Sequence, residues 1–361
     1  MSNFTSYIRK NPLDIMILCI PAAYIAEWMG WGAIWVFILS AMGVIPMAGY
    51  IGKGTEVLAS FAGPRIGGLL NATLGNAAEL IITLIAIREG LLELVKASIT
   101  GSILGNLLLV LGLSIFMGGI KNGKQRFDKH HAGNNSILLI ISTMALVIPS
   151  LFSHYIGPSA DFKVETLSLG VAGVMIVLYI LGLIYSLKGN TTDSPLTYDV
   201  GSEHNLPDWS KSKAIIVLAI STFMIVLLSE LLVGAVEEVV VDIGVSEFFL
   251  GIILIPIVGN VAEHLVAVQV AVRNHMELSV EIAISSSVQI ALFVAPLLVF
   301  ISIPMGNPLN LIFNQFEIIA LSAGVLITAL VSADGESNWL EGASLLAVYI
   351  ILALAFFLLP A

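Results

Sequence analysis

Eleven apolar stretches decide what this chain can fold into: 13–29, 32–52, 65–88, 92–120, 136–152, 167–187, 214–240, 246–273, 278–303, 316–333 and 339–359. Each is near the length of about 20 residues that a helix needs to cross the hydrocarbon of a bilayer. Inside that medium every backbone N–H and C=O must find a partner within the chain, so such runs fold as helices. Of the 361 residues only 11% are charged, against about 25% in a soluble domain. The expected fold is therefore an all-α polytopic membrane protein with eleven transmembrane helices. The stretches 92–120 and 214–240 exceed the necessary length and should tilt, bend or protrude. The start, MSNFTSYIRKNPLDIMILC, has no clean small-residue cleavage site, and it reads as a first spanning helix rather than a removed leader.

Lysine and arginine set the orientation. With the N-terminus cytoplasmic, Arg9, Lys10, Lys53, Arg65, Lys121, Lys124, Arg126, Lys129, Lys188, Lys211, Lys213 and Arg273 fall inside, and only Arg88, Lys96 and Lys163 fall outside. An odd number of spans then puts the C-terminus outside, and the plasma membrane is the expected location. The net charge of −10 argues against nucleic acid as a partner, since phosphate backbones are held by clustered cations. The single cysteine, Cys19, allows no intramolecular disulfide and no thiolate metal cage, and it reads as a small buried hydrophobe.

Two apolar stretches carry the same polar interruption. GNAAEL occupies residues 75–80 and GNVAEH residues 259–264. The offset of 184 residues pairs Gly75 with Gly259, Asn76 with Asn260 and Glu79 with Glu263; carried forward, it pairs Ser102 with Ser286. With a short gap, KGTEV pairs with AVEEV and Glu56 with Glu237. The chain thus divides into a leading helix (1–30), a first five-helix repeat (31–187), an acidic cytoplasmic linker (188–213) and a second five-helix repeat (214–361). An odd number of helices per repeat makes the two copies face opposite ways, and folds of this kind bind substrate near the midplane, at the repeat interface. The linker, KGNTTDSPLTYDVGSEHNLPDWSKSK, reads as a solvated connector or as an acidic segment that gathers cations near an entrance.

On a helix Gly75 and Glu79 share a face with Asn76 beside them, and Gly259, Asn260 and Glu263 do the same. The small neighbours loosen both helices, and Pro256 removes a backbone donor just ahead of the second motif, so both helices are expected to be broken there, with carbonyls turned toward a cavity. An acid at a helix centre costs a few kcal/mol, and two facing acids repel. A divalent cation between them, or a proton on each, relieves the cost. Glu79, Glu263, Asn76, Asn260, Ser102, Ser286, Asn106 and Gln289, with backbone carbonyls near Gly75 and Gly259, make an all-oxygen set that suits Ca²⁺ better than Mg²⁺. Zinc or copper would call for more His or Cys. His264 has Leu80 as its repeat counterpart, and two readings stay open for it: a histidine satisfied by a local hydrogen bond, or a proton-coupling or gating group. Glu56, Glu237 and Glu238 are candidates for the path between core and water, whereas Glu27, Glu230, Glu317 and Glu341 fit span ends or packing equally well. No HExxH and no nucleophile with a partnered base point to an enzyme, and no cofactor is expected beyond Ca²⁺ as cargo.

In GNAAELI with SITGSILGN, and GNVAEHL with SISSSVQIALFVAP, the chain resembles the Ca²⁺/H⁺ antiporter (CAX) family of the cation/Ca²⁺ exchanger superfamily, bacterial members in particular, over essentially its whole length. The resemblance implies alternating-access exchange of Ca²⁺ for H⁺, with Glu79 and Glu263 as the shared Ca²⁺ and proton site, and spans two and seven moving against a core of the other repeat helices. Na⁺/Ca²⁺ exchangers of the superfamily carry hydroxyl-rich motifs where this chain has Asn-Ala-Ala and Asn-Val-Ala, which favours H⁺. The alternatives are exchange of Na⁺ or another divalent ion on the same scaffold, or a cation channel with an acidic ring. Ca²⁺, H⁺ and the lipid bilayer are the expected partners, and a homo-oligomer is compatible with this reading.

Overall fold

A computed structural model describes residues 12–156, 162–188 and 209–359, and almost all of them are helical. The first span opens as a 3-10 turn, Pro12–Leu18, and continues as α1 (Cys19–Met29). Gly30 and Gly32, both at positive φ, turn the chain into α2 (Ala33–Leu74). That helix kinks at Gly63 (φ 82°, ψ 168°): Pro64 follows, and the residue before a proline is pushed out of the helical region. After the Gly75–Asn76 turn come α3 (Ala77–Arg88), α4 (Leu92–Leu104), a π-helical segment Gly105–Val110 and α5 (Leu111–Asn122). Strand β1 (Gln125–Arg126) leads to α6 (Lys129–Ile156) and α7 (Phe162–Lys188). Beyond the linker, most of which lies outside the described residues, the chain runs α8 (Lys211–Gly234), α9 (Val236–Ile243) and α10 (Glu247–Phe249). A π-helical segment Leu250–Leu254 joins α10 to α11 (Ile255–Val272); then follow α12 (Met276–Gln289), a third π-helical segment Ile290–Val294 and α13 (Ala295–Ser302). The chain closes with α14 (Gln315–Val331), β2 (Glu336–Ser337) and α15 (Trp339–Phe357).

Eight of these helical stretches are long and apolar enough to cross a membrane. The other three expected stretches are helical but shorter or interrupted. The first is part 3-10 helix, the third is broken at Gly75–Asn76, and α14 has 17 residues. The expected tilt or bend of the two overlong stretches resolves differently in each: Leu92–Asn122 stays one rod with a π segment in its middle, whereas 214–240 divides at Ala235 into α8 and α9.

Burial sorts the helices. Of the most apolar window in Leu92–Asn122, 72% is buried, and in Met276–Ser302 78%, against 22% in Phe162–Tyr185 and in Trp339–Phe357. The two related stretches starting at α4 and α12 are the core, and α7 and α15 are the rim. α2 and α8 pack along each other, and α2 also meets α11. Backbones touch where α4 crosses the π segment Leu250–Leu254. A methyl on Gly101 would collide with the carbonyl of Ile252, and one on Gly251 would lie 2.9 Å from the carbonyl oxygen of Leu94. Without a hydrophobic force between helices in lipid, such small-residue contacts supply the packing. Two short strands close one end: β1 pairs antiparallel with β2, Gln125 opposite Ser337 and Arg126 opposite Glu336.

The crossing gives a direct stability test. Gly101→Ala forces a methyl into backbone and is expected to cost roughly 1–3 kcal/mol. Gly133→Ala, on α6 with open space at that point, should be neutral or slightly stabilising. Thermal unfolding of both variants in detergent is the measurement, and equal melting temperatures would contradict the crossing.

Candidate functional site

The two motifs interlock. A methyl on Gly259 would sit 3.0 Å from Cγ of Glu79, and one on Gly75 would sit 3.3 Å from Oε1 of Glu263. Each motif's glycine thus makes room for the other motif's carboxylate. The backbones differ. The first motif lies at a true break, with Asn76 outside helical geometry (φ −92°, ψ 19°). The second lies inside α11, which runs unbroken through GNVAEH. The expected break at Pro256 is not there: Pro256 stands in the first turn of α11, where its missing N–H costs little. The irregularity sits one turn earlier, in the π segment Leu250–Leu254.

Glu79 is only 3% exposed. Its Oε1 accepts from Nδ2 of Asn260, 2.5 Å away, and from the hydroxyl of Ser102. From Glu263, which is half-buried, a chain of hydrogen bonds runs through two buried side chains to His264. Ser286 Oγ donates to Glu263 Oε2 (3.3 Å), Asn106 Nδ2 donates to Ser286 Oγ (3.1 Å), and Asn106 Oδ1 lies 3.2 Å from Nε2 of His264. An amide oxygen can only accept, so Nε2 of His264 carries the proton. Asn76 Nδ2 donates to Gln289 Oε1 at 2.9 Å. Two bonds are symmetric copies, Ser102 to Glu79 and Ser286 to Glu263. The rest are not. By the 184-residue offset Gln289 stands where the first repeat has Gly105, and Asn106 where the second has Ile290.

The structure therefore brings together Glu79, Glu263, Asn76, Asn260, Gly75, Gly259, Ser102, Ser286, Asn106, Gln289 and His264. It does not bring Glu56, Glu237 or Glu238 to them. All three are exposed, Glu56 on α2 and the other two on α9. Glu238 lines a cavity of about 430 Å³ together with Glu27 and Glu230, between the ends of α1 and α8. Of the acids assigned to span ends or packing, Glu317 is fully buried. It closes a capping box with Asn314 and accepts from Thr100 at 3.1 Å, and the spacing N-x-x-E was its visible signal. Lys96, counted with the outside cations, is buried against Ile312 O and Glu93.

Among the described residues neither Glu79 nor Glu263 forms an ion pair with a lysine or arginine. Two oxygens of the first motif, Glu79 Oε2 and Asn76 Oδ1, are buried with no hydrogen-bond partner. Uncompensated acceptors at such depth are costly, and a cation or a proton is what they can take. Among the same residues no three His, Cys, Asp or Glu side chains are placed to hold a metal. The acceptor set is two carboxylates with neutral amides and hydroxyls, which are hard oxygen donors.

Known proteins are similar to this chain over nearly its whole length. The family model of the sodium/calcium exchanger protein matches residues 32–188 and 213–358. The Ca(2+)/H(+) antiporter ChaA of Bacillus subtilis is 45% identical over 94% of this chain and 97% of its own length. The Ca(2+)/H(+) antiporter of Synechocystis is 41% identical, over 96% and 97%. The solved structure of native YfkE superposes with a TM-score of 0.83 at 42% identity, covering 96% of this chain and all of that one. The chain belongs to the sodium/calcium exchanger protein family, in its bacterial Ca²⁺/H⁺ antiporter (CAX) group.

Proposed function

We propose that this integral membrane protein exchanges Ca²⁺ for H⁺ by alternating access, with Glu79 and Glu263 as the shared Ca²⁺ and proton site. The observation that carries the reading is the interlocked pair of carboxylates, neither of which has a cationic partner among the described residues. Support comes from relatives of this length and identity that are named Ca²⁺/H⁺ antiporters. The two glutamates compete for the same occupants. At higher pH they are bare and hold Ca²⁺; at lower pH protons replace it, since a metal needs its ligands deprotonated. Asn260 and Ser102 orient Glu79, Ser286 orients Glu263, and Gln289 turns Asn76 so that its carbonyl oxygen is left for the cation.

The finer architecture belongs to the same proposal. Counting the first, third and tenth segments as spans gives eleven, arranged as a leading helix and two inverted five-helix repeats, with the N-terminus cytoplasmic and the C-terminus outside in the plasma membrane. The related π-helical segments Gly105–Val110 and Ile290–Val294, each shortly after the serine that meets a glutamate, support the repeat. In this reading α2 and α8 rock against the core of α4 and α12.

Three measurements in proteoliposomes test the proposal. Glu79→Gln and Glu263→Gln should each reduce pH-jump ⁴⁵Ca²⁺ uptake to background while keeping the melting temperature near that of the parent; full activity in either variant would sink it. Asn260→Ala, which removes a hydrogen bond to a carboxylate worth about 1.5–3 kcal/mol, should weaken apparent Ca²⁺ affinity by roughly tenfold or more. As pH falls through the range where both carboxylates bind protons, half-saturating Ca²⁺ should rise by up to about 100-fold per unit, for two protons displaced per ion. Uptake that persists in Na⁺-free buffer separates this reading from Na⁺ exchange, and its dependence on a counter-ion gradient separates it from a channel.

A further inference from the structure

One feature of the fold lies apart from the ion site: the end closed by β1 and β2. There α5 finishes at Asn122, and α15 starts at Trp339 in direct backbone contact with Gly119. Three apolar side chains at this level face outward: Ile120 (62% exposed), Trp339 (51%) and Leu340. A tryptophan so placed at a helix terminus marks the boundary between hydrocarbon and headgroups. Within the next residues the chain reads KNGKQRFDK, from Lys121 to Lys129. Four cations therefore stand at headgroup depth, with Lys124 59% and Arg126 82% exposed. Arg273 is exposed nearby, since Asn122 and Gln125 bond the carbonyl of Ala271 and Gln125 bonds Asn274.

The same two cations hold the strand pair together. Glu336 on β2 forms ion pairs with Lys124 and, at 3.0 Å, with Arg126. Those contacts keep its carboxyl below the ordinary carboxylate range. The other acids at this end are Asp128, Glu277 and Glu281 around Phe127, Glu341 in the first turn of α15, and Asp334, whose side chain accepts from the backbone N–H of Glu336. An exposed ion pair contributes little, because water and salt screen it. A phosphate anchored at the same depth by its acyl chains competes for these cations at high local concentration.

We propose that Lys124 and Arg126, with Lys121 and Lys129 beside them, form a binding site for the headgroup of an anionic phospholipid, which exchanges with Glu336 for the two cations. The lipid-facing apolar row of Ile120, Trp339 and Leu340 takes the acyl chain, and the cations take the phosphodiester. Arginine and lysine suit phosphate oxygens as donors, and clusters of basic residues immediately beyond a spanning helix recognise anionic lipid, at roughly fivefold per cation. Because the loop also caps the carbonyl end of α11, which carries Glu263, bilayer charge is tied to an element of the ion site. The proposal does not depend on the exchange reaction.

The test uses Trp339 as reporter. With Trp28→Phe, Trp31→Phe, Trp35→Phe and Trp209→Phe, the remaining tryptophan is quenched by brominated lipid in contact with it. Brominated phosphatidylglycerol should quench at least about fivefold more effectively, as a relative binding constant, than brominated phosphatidylcholine. Lys124→Gln/Arg126→Gln, which removes two of the cations, should bring that ratio to about one, and Glu336→Gln, which releases the same cations, should raise it by roughly fivefold. A ratio of one in the parent, or a ratio indifferent to both variants, overturns the proposal. Loss of the preference on adding 10 mM inorganic phosphate (on the order of a competing ligand concentration) overturns the lipid as occupant in favour of free phosphate. If the four-fold Phe variant does not fold, native mass spectrometry of the full protein with either lipid reads the same preference: more phosphatidylglycerol than phosphatidylcholine retained supports the site, and equal retention overturns it.

Discussion

Two carboxylates in a membrane interior, without a lysine or arginine among the described residues to neutralise either, are the constraint around which this structure is arranged. A charged group at such depth costs a few kcal/mol even on lenient scales, so the fold must supply either compensation or a vacancy for a mobile charge. Here compensation is partial and made of dipoles: an amide and a hydroxyl on Glu79, and a hydroxyl on Glu263. Neutral donors orient a carboxylate and lower the cost of its charge without cancelling it. Full neutralisation by a fixed cation would have removed the affinity for Ca²⁺ that the proposed exchange needs. The glycines follow from the same demand, because a methyl on either would stand 3.0–3.3 Å from the other motif's glutamate, closer than side chains ordinarily approach.

Much of this was legible in the sequence because it obeys period and repetition. The apolar stretches match the helices within a few residues at most ends, since lipid leaves the backbone no other fold. The 184-residue offset located the glutamates, asparagines and serines that the structure brings together, because the same polar interruption is written twice in the chain. What the sequence concealed lies where that repetition fails. Gln289 and Asn106 were visible as polar residues, but their partners were not, since neither has a polar counterpart in the other repeat and both bonds cross between repeats. The unbroken course of α11 was hidden for another reason. Proline suggests a break only inside a helix, and Pro256 stands in a first turn that π-helical geometry displaced ahead of it. Glu56 and Glu237 also align between the two halves, with a short gap, yet both lie at exposed positions. Repetition finds equivalent places in the fold, and depth has to be read separately.

The departures from symmetry also gather on one side. Glu79 has direct donors and almost no exposure, whereas Glu263 is half-buried and reaches His264 only through Ser286 and Asn106. Both glutamates hold the same cargo in the proposed reaction, but they are not equivalent routes to water. Asn106 takes Nε2 of His264 as a donor and so ties the ring, through the buried Ser286, to the more accessible carboxylate. Both sequence readings of His264 fit that bond, which satisfies the ring and stands at the end of a chain that begins on Glu263.

Motion in such a molecule has to occur where packing is cheap to break, and the distribution of burial and backbone irregularity says where that is. Local openings are drawn from segments with few buried contacts. The stretches led by α4 and α12 are the most buried in the protein, and they carry Ser102, Ser286 and Gln289. α8 has 28% of its apolar window buried, and the spanning half of α2 has 50%. The remaining parts of α2 are bounded by irregular points at Gly63 and at the Gly75–Asn76 turn, and α8 ends at the Ala235 junction. Each of those points can absorb a change of direction without disturbing the helices on either side. A rigid centre that holds the hydroxyls and amides, flanked by hinged helices that pack on each other and on α11, lets the path to the carboxylates change while the donors around them stay fixed. That arrangement follows from where glycine, asparagine and the π-helical segments fall in the chain, and it is the mechanical counterpart of two carboxylates that must be reached from either side.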